Sequence, residues 1–204
     1  MKKYDTVKII GLTGGIGSGK TAVSSYLLEK GYAVFDADKI AKELVYPGSP
    51  VLSNLASAFG DTILNSDGSL NRKELASKAF SDKVMKERMD GIMHGEILRI
   101  IKEKIDELIE SGYSGVILLD IPLLFEVDTG LEEYIDEIWV IDAEEETRIN
   151  RVIERDGISR RNVLDIMDNQ FPSEEKRKRA HFVIDNSGSL KDLHKKLDEL
   201  VEEL

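Results

Sequence analysis

With 204 residues, 41% hydrophobic and 33% charged, the chain has apolar surface enough for one good core and too much for a disordered segment. Its 39 Asp and Glu against 28 Lys and Arg leave a net charge of -11, which excludes a broad electrostatic footprint for nucleic acid or an anionic membrane; any anionic ligand must be held by a local gathering of donors. The absence of cysteine excludes disulfides and thiolate metal sites, and no apolar run reaches the length of a signal-peptide core or a membrane span, so the expected location is the cytoplasm.

Taken in chain order, five short runs rich in Val and Ile read as strands: Val7 to Leu12, Tyr32 to Phe35, Val116 to Leu119, Ile138 to Ile141 and Phe182 to Ile184. They are nearly continuous rather than alternating, as expected of strands buried on both faces of a parallel sheet. Helical patterns fill the gaps at Lys20 to Lys30, Glu144 to Arg155 and Arg160 to Asn169, and a last helix follows Ser189, where Ser189 and Asp192 form a capping-box pair. Between Leu44 and Gly112 there are helical patterns but no convincing strand. The expected architecture is therefore α/β, a three-layer fold around a five-stranded parallel sheet, with a core at 1–44 and 113–204 and an inserted helical region at 45–112. In the insert, Ile97, Leu98, Ile101, Ile105 and Leu108 form one apolar stripe, read as core-facing.

Gly14, Gly15, Ile16, Gly17, Ser18, Gly19, Lys20 and Thr21 satisfy G-x-x-x-x-G-K-S/T after a strand and before a helix, the context that a phosphate-binding loop needs. Glycines let successive N–H groups point at phosphate oxygens near the positive helix end. Lys20 adds a point charge for the β- and γ-phosphates, and the Thr21 hydroxyl is placed for Mg²⁺. Val116 to Asp120 is an apolar strand ending in a carboxylate, the pattern of an acid that orients Mg²⁺ through water. The cofactors expected are ATP and Mg²⁺.

Three features turn the reading from nucleotide binding toward small-molecule phosphoryl transfer. Asp36-Ala37-Asp38 ends the second strand, and one of its carboxylates can orient an acceptor hydroxyl and take its proton. Arg148, Arg151 and Arg155 recur on one helix face and can present forked donors to phosphates; the plain alternative is a solvated face paired with Glu144, Glu145 and Glu154. Asp156-Gly157 and the helices after it, at about 155–177, read as a lid that excludes water. The basic run Lys176 to Arg179 reads as a solvated helix end.

Taken together, these residues resemble the dephospho-CoA kinase family, the last enzyme of coenzyme A synthesis, over nearly the whole chain. The resemblance rests on Gly11 to Thr21, Asp36-Ala37-Asp38, Phe59-Gly60 with Asp67 to Arg72, Pro122-Leu123-Leu124-Phe125-Glu126, Arg151 with Arg155-Asp156-Gly157, Gln170, and Asn186 to Ser189. It implies transfer of the ATP γ-phosphoryl group to the ribose 3'-hydroxyl of dephospho-CoA. It further implies Asp38 as base, Lys20 and Arg151 as catalytic cations, and Arg155 and the loop around Asn186 as ATP contacts. Thr13, Pro122 and Leu123 would line the substrate site. Departures from the family pattern are His94-Gly95, Arg148, His181 and Ala22. Another nucleoside or nucleotide kinase, or a nucleotide-dependent switch, remains as an alternative, although no Asn-Lys-x-Asp guanine-reading sequence is present. Neither a nucleic-acid nor a membrane partner is expected, and the sequence leaves the oligomeric state open.

Overall fold

The computed structural model describes residues 4, 6–126, 130–202 and 204. The chain forms two compact units, one of residues Met1–Asp36 and Ser111–Leu204 and one of Ala37–Glu110.

The first unit holds strands β1 (Val7–Gly14), β2 (Ala33–Asp36), β3 (Gly115–Asp120), β4 (Glu137–Asp142) and β5 (Phe182–Asp185), all parallel in the order β2-β3-β1-β4-β5. The five apolar runs thus become the five strands. Parallel strands need long crossovers. These are supplied by α1 (Lys20–Glu29), α6 (Glu145–Asp156), α7 (Arg160–Asp168) and α8 (Ser173–Arg179), with α9 (Leu190–Glu202) closing the chain.

Ile10, Leu12, Leu118, Trp139, Ile141 and Ile184 pack with Val23 and Leu27 of α1 and Leu193 and Leu197 of α9. The alternate residues Ile9, Ile117, Leu119 and Val140 are equally buried, so both sheet faces are covered, which is why the strands read as unbroken apolar runs. The capping box before α9 forms as expected: the Asp192 amide donates to Ser189 Oγ and the Ser189 amide to Asp192 Oδ2.

The second unit contains α2 (Ala37–Leu44), α3 (Pro50–Phe59), α4 (Arg72–Ala79) and α5 (Lys83–Glu110). Helices α2, α3 and α4 each pack on α5, which at 28 residues is about 42 Å long. Ile101 and Ile105 have no exposed surface, in keeping with the core reading of the α5 stripe. The boundary differs from the expected residue 45. Helix α2, with Ile40 and Leu44 buried, packs on α5, and the unit begins at Ala37. The acidic triplet is split accordingly, with Asp36 ending β2 and Asp38 lying in the first turn of α2. Among the described residues no helix is long and apolar enough to cross a membrane.

Ile117 sits in β3 between β1 and β2 with no exposed surface. Ile117→Ala is expected to lower the urea unfolding free energy by about 2–5 kcal/mol with the m-value unchanged. A loss under about 0.5 kcal/mol would be the mark of a surface position and would contradict this packing.

Candidate active site

Strand β1 delivers Gly14 to the carboxyl edge of the sheet, where ligands of open α/β folds bind, and the loop turns back into α1 at Lys20. The turn depends on Gly17 and Gly19, whose φ angles of 76° and 91° lie in the left-handed region that side chains disfavour. At Gly17 a side chain would also collide with the Arg148 backbone, and at Gly19 with the Asn186 amide. The loop is therefore both strained for any other residue and closely walled.

Behind it stands a set of buried polar contacts. Asn186 is 6% exposed, and its Nδ2 donates to the Ser18 carbonyl at 2.8 Å. The Asn186 carbonyl accepts from Arg151 Nη2 at 2.9 Å, which draws that arginine to the loop. Arg151 Nη1 and Ser18 Oγ are buried with no hydrogen-bond partner among the described residues. Lys20 Nζ pairs with Asp120 Oδ1 at the end of β3. Burial pushes the Asp120 carboxyl above its ordinary value; the Lys20 ammonium pulls it back only in part, and Asp36, paired with Asp120 across the β2–β3 ladder, adds to the upward push.

The three arginines of α6 separate by role. Arg151 reaches the loop. Arg148 is 5% exposed; its Nε donates to the Ile16 carbonyl at 3.0 Å, its Nη1 to Ser173 Oγ at 2.6 Å, and Asp142 lies 3.6 Å away. Burial lowers its proton affinity and the Asp142 carboxylate opposes that shift. It is a brace of the loop rather than a free phosphate donor. Arg155 is exposed and held by Asp156 through bonds of 2.7 and 2.6 Å.

Thr13 is wholly buried and donates its hydroxyl to the Pro122 carbonyl at 3.0 Å, tying β1 to the turn that carries Pro122 and the exposed Leu123. Thr21 lies exposed in the first turn of α1. The first unit thus brings together the phosphate loop, Asp120, Arg151, Asn186, Thr13 and Pro122; Arg155 is engaged by its own neighbour. Asp38 is exposed and lines a cavity of about 340 Å³ in the helical unit, with Lys42, Arg72, Met89 and Met93 among its other walls.

The basic run at the end of α8 is exposed at Arg177, Lys178 and Arg179, as expected of a solvated helix end, and departs from that reading at Lys176. Lys176 is 1% exposed and donates to Glu126 Oε1 at 2.6 Å, Arg177 bonds Asp142 at 2.6 Å, and Arg179 lies 4.5 Å from the Phe171 ring centre. Lys178 pairs with Glu174 and Glu175 on its own helix. Sequence reasoning assigned no role to Glu126, Asp142 or Ser173. One signal was available for Asp142, since β4 ends in Asp142 as β3 ends in Asp120.

A lysine opening the helix after such a loop, countered by a carboxylate on the next strand of a parallel sheet, is the arrangement of the P-loop kinases. Within that class, the model of the dephospho-CoA kinase family matches residues 8–192. The chain belongs to the dephospho-CoA kinase family.

It is 42% identical over 197 residues to a dephospho-CoA kinase of Fusobacterium nucleatum, covering 97% of this chain and 98% of that one. A solved structure of a Thermus thermophilus protein aligns with a TM-score of 0.84 and 36% identity, over 98% of this chain and 99% of that one. The dephospho-CoA kinase structure from Campylobacter jejuni aligns with a TM-score of 0.71 and 26% identity, over 97% and 96%.

The Asp120–Lys20 pair has a pH signature. Because the folded-state pKa of Asp120 is raised, the folded protein holds a proton that the unfolded chain has already lost, so this group's contribution to stability falls as pH rises through that window. Lys20→Met removes the main influence lowering that pKa and extends the window upward. The stability deficit of the variant against wild type is therefore expected to be larger at about pH 8 than at about pH 5 in urea melts without nucleotide. A deficit independent of pH would show that Asp120 is not the responsible group.

Proposed function

We propose that this protein transfers the γ-phosphoryl group of ATP, with Mg²⁺, to the ribose 3'-hydroxyl of dephospho-CoA, yielding CoA and ADP in the cytoplasm. The observation that carries the nucleotide half of this reading is the pair of buried donors beside the glycine-rich loop, Ser18 Oγ and Arg151 Nη1, which have no hydrogen-bond partner among the described residues. Buried donors of this kind are costly, and phosphate oxygens are the acceptors that the loop is shaped to receive. Family membership supports the acceptor.

In this reading Lys20 exchanges Asp120 for the β- and γ-phosphates when nucleotide enters, and N–H groups of the loop from Gly14 to Thr21, that of Ile16 excepted because Gln170 holds it, bind the phosphate oxygens. Arg151, steadied by the Asn186 carbonyl, places positive charge where it develops during transfer. The Thr21 hydroxyl and, through water, the Asp120 carboxylate released by Lys20 would hold Mg²⁺. Among the described residues no cluster of three acidic or histidine groups forms a metal cage, which suits an ion that keeps waters and phosphates as most of its ligands. The bound ion supplies charge neutralisation of the phosphates.

Asp38 is the proposed base. It has a carboxylate free of any backbone strand, in the first turn of α2, with Lys42 and Arg72 beside it as cations for an anionic substrate. Thr13 acts through the Pro122 carbonyl and so shapes the wall formed by Pro122 and Leu123. Segment 155–177 is the proposed lid. Its anchored end is Gln170 to Arg177, and at its other end Arg155, in the last turn of α6 just before the left-handed cap at Gly157, is the proposed ATP contact. The loop around Asn186 is the proposed adenine contact, tied to the phosphate loop by the bond from Asn186 Nδ2 to the Ser18 carbonyl.

Incubation with ATP, Mg²⁺ and dephospho-CoA is expected to yield CoA and ADP, read by mass spectrometry. Absence of CoA from a folded sample that phosphorylates a nucleoside or nucleotide would move the assignment to that acceptor, and nucleotide hydrolysis with no acceptor would indicate a switch. Arg151→Ala should lower kcat by ~10² or more, which is ~2.7 kcal/mol of barrier. Near-normal turnover in Asp38→Asn would remove the base role from Asp38.

A further inference from the structure

We infer that Gln170 is a positioning residue for the phosphate loop, holding the Ile16 peptide so that the loop keeps the shape that receives phosphate. The Ile16 amide donates to Gln170 Oε1 at 2.9 Å across 154 residues of sequence, and the Ile16 carbonyl accepts from Arg148 Nε at 3.0 Å. Both peptide groups of one loop residue are thus gripped by side chains from outside the loop. The grip matters because the flanking glycines give this stretch more conformational freedom to lose than any other sequence would. Turning the Ile16 amide outward onto Gln170 also assigns that donor, leaving the inward face of the loop to the amides that follow it.

Gln170 has the anchoring that such a task requires. Its own amide donates to the Met167 carbonyl at 3.0 Å at the end of α7. The next amide, of Phe171, donates to Glu126 Oε1 at 3.0 Å, and the same oxygen receives Lys176 Nζ at 2.6 Å from a lysine with 1% exposure. Ser173, between them, accepts from the Arg148 guanidinium that also holds the Ile16 carbonyl. The two arms on Ile16 are therefore joined to each other through one short segment, 170–176, and that segment is pinned to the turn after β3. Docking of the segment and the shape of the loop form a single coupled arrangement. The Ile16 amide needs a strong acceptor, and methionine, of similar length, offers only a weak thioether one, so it breaks this arm and leaves the anchors in place.

The inference rests on the nucleotide-binding half of the proposed function and not on the identity of the acceptor, so it is tested by binding. The dissociation constant of ATP with Mg²⁺ is measured by calorimetry for wild type, Gln170→Met and Gln170→Glu, alongside unfolding midpoints without nucleotide and KM for both substrates. Gln170→Met is expected to weaken ATP binding about tenfold and to raise KM for ATP with it. Its nucleotide-free midpoint should stay within about 2 °C of wild type, and KM for dephospho-CoA should not change. Gln170→Glu restores the acceptor while adding a charge that repels phosphate, and it should still bind ATP more tightly than Gln170→Met. Wild-type ATP affinity in Gln170→Met, an affinity loss that only follows a fall in the nucleotide-free midpoint, or weaker binding by Gln170→Glu than by Gln170→Met would each overturn the inference. Failure to form CoA, with these binding differences intact, would count against the acceptor alone.

Discussion

The rest of the structure depends on β1 standing in the middle of the sheet, hydrogen-bonded to β3 on one side and β4 on the other and covered on both faces. Its pairing extends to the strand's beginning, where the Ile9 amide donates to Asp136 Oδ2 at 2.9 Å and the Asp136 amide to the Ile9 carbonyl at 2.8 Å. A strand held this way cannot slide by one residue without turning Ile9, Ile10 and Leu12 to the wrong layer. That constraint fixes where Gly14 emerges, and with it the place of every loop amide. The phosphate loop can be half glycine because its two ends are held, one by β1 paired on both sides and the other by α1 packed on the sheet.

Around this fixed exit the chain gathers charge that its composition withholds. In a protein of net charge -11, cations at the carboxyl edge are kept by specific pairing: Lys20 with Asp120, Arg148 and Arg177 with Asp142, Lys176 with Glu126. Buried pairs of this sort contribute little net stability against an apolar alternative, because both partners lose hydration. What they contribute here is geometry. Asp142 holds the Arg148 head that braces Ile16, Glu126 holds the segment that carries Gln170, and Asp120 keeps Lys20 close to the loop. The raised pKa of Asp120 follows from the same economy of space, since a carboxylate beside Asp36 and out of water is comfortable only while a cation stays near.

The helical unit solves a separate problem. Its long helix α5 is the surface on which α2, α3 and α4 each bury an apolar face, so it holds a core of its own in Leu55, Ile63, Ile101 and Ile105. The boundary between Asp36 and Ala37 divides the acidic triplet, giving β2 one carboxylate and α2 the other. Asp36 thereby becomes an electrostatic neighbour of Asp120, while Asp38 enters the company of Lys42 and Arg72.

By itself the sequence determined what depends on neighbours along the chain: five apolar strands, the helices between them, the Ser189 capping box and the phosphate loop, whose glycines and lysine must be consecutive to work. Lys20, Thr21 and Asp120 were legible for that reason, each lying at a strand or helix end that the local pattern marks. The tertiary structure decided what depends on residues far apart. That Arg148 is buried as a brace while Arg151 reaches the loop, that Asn186 turns its amide to Ser18, that Lys176 is among the most enclosed side chains, and that Ala37 begins a second unit are all set by partners tens to more than a hundred positions away. Helical periodicity places Arg148, Arg151 and Arg155 on one face and treats them alike. Only the packing of that face against the loop and the Asn186 turn gives each a different environment, and charge takes its role from environment.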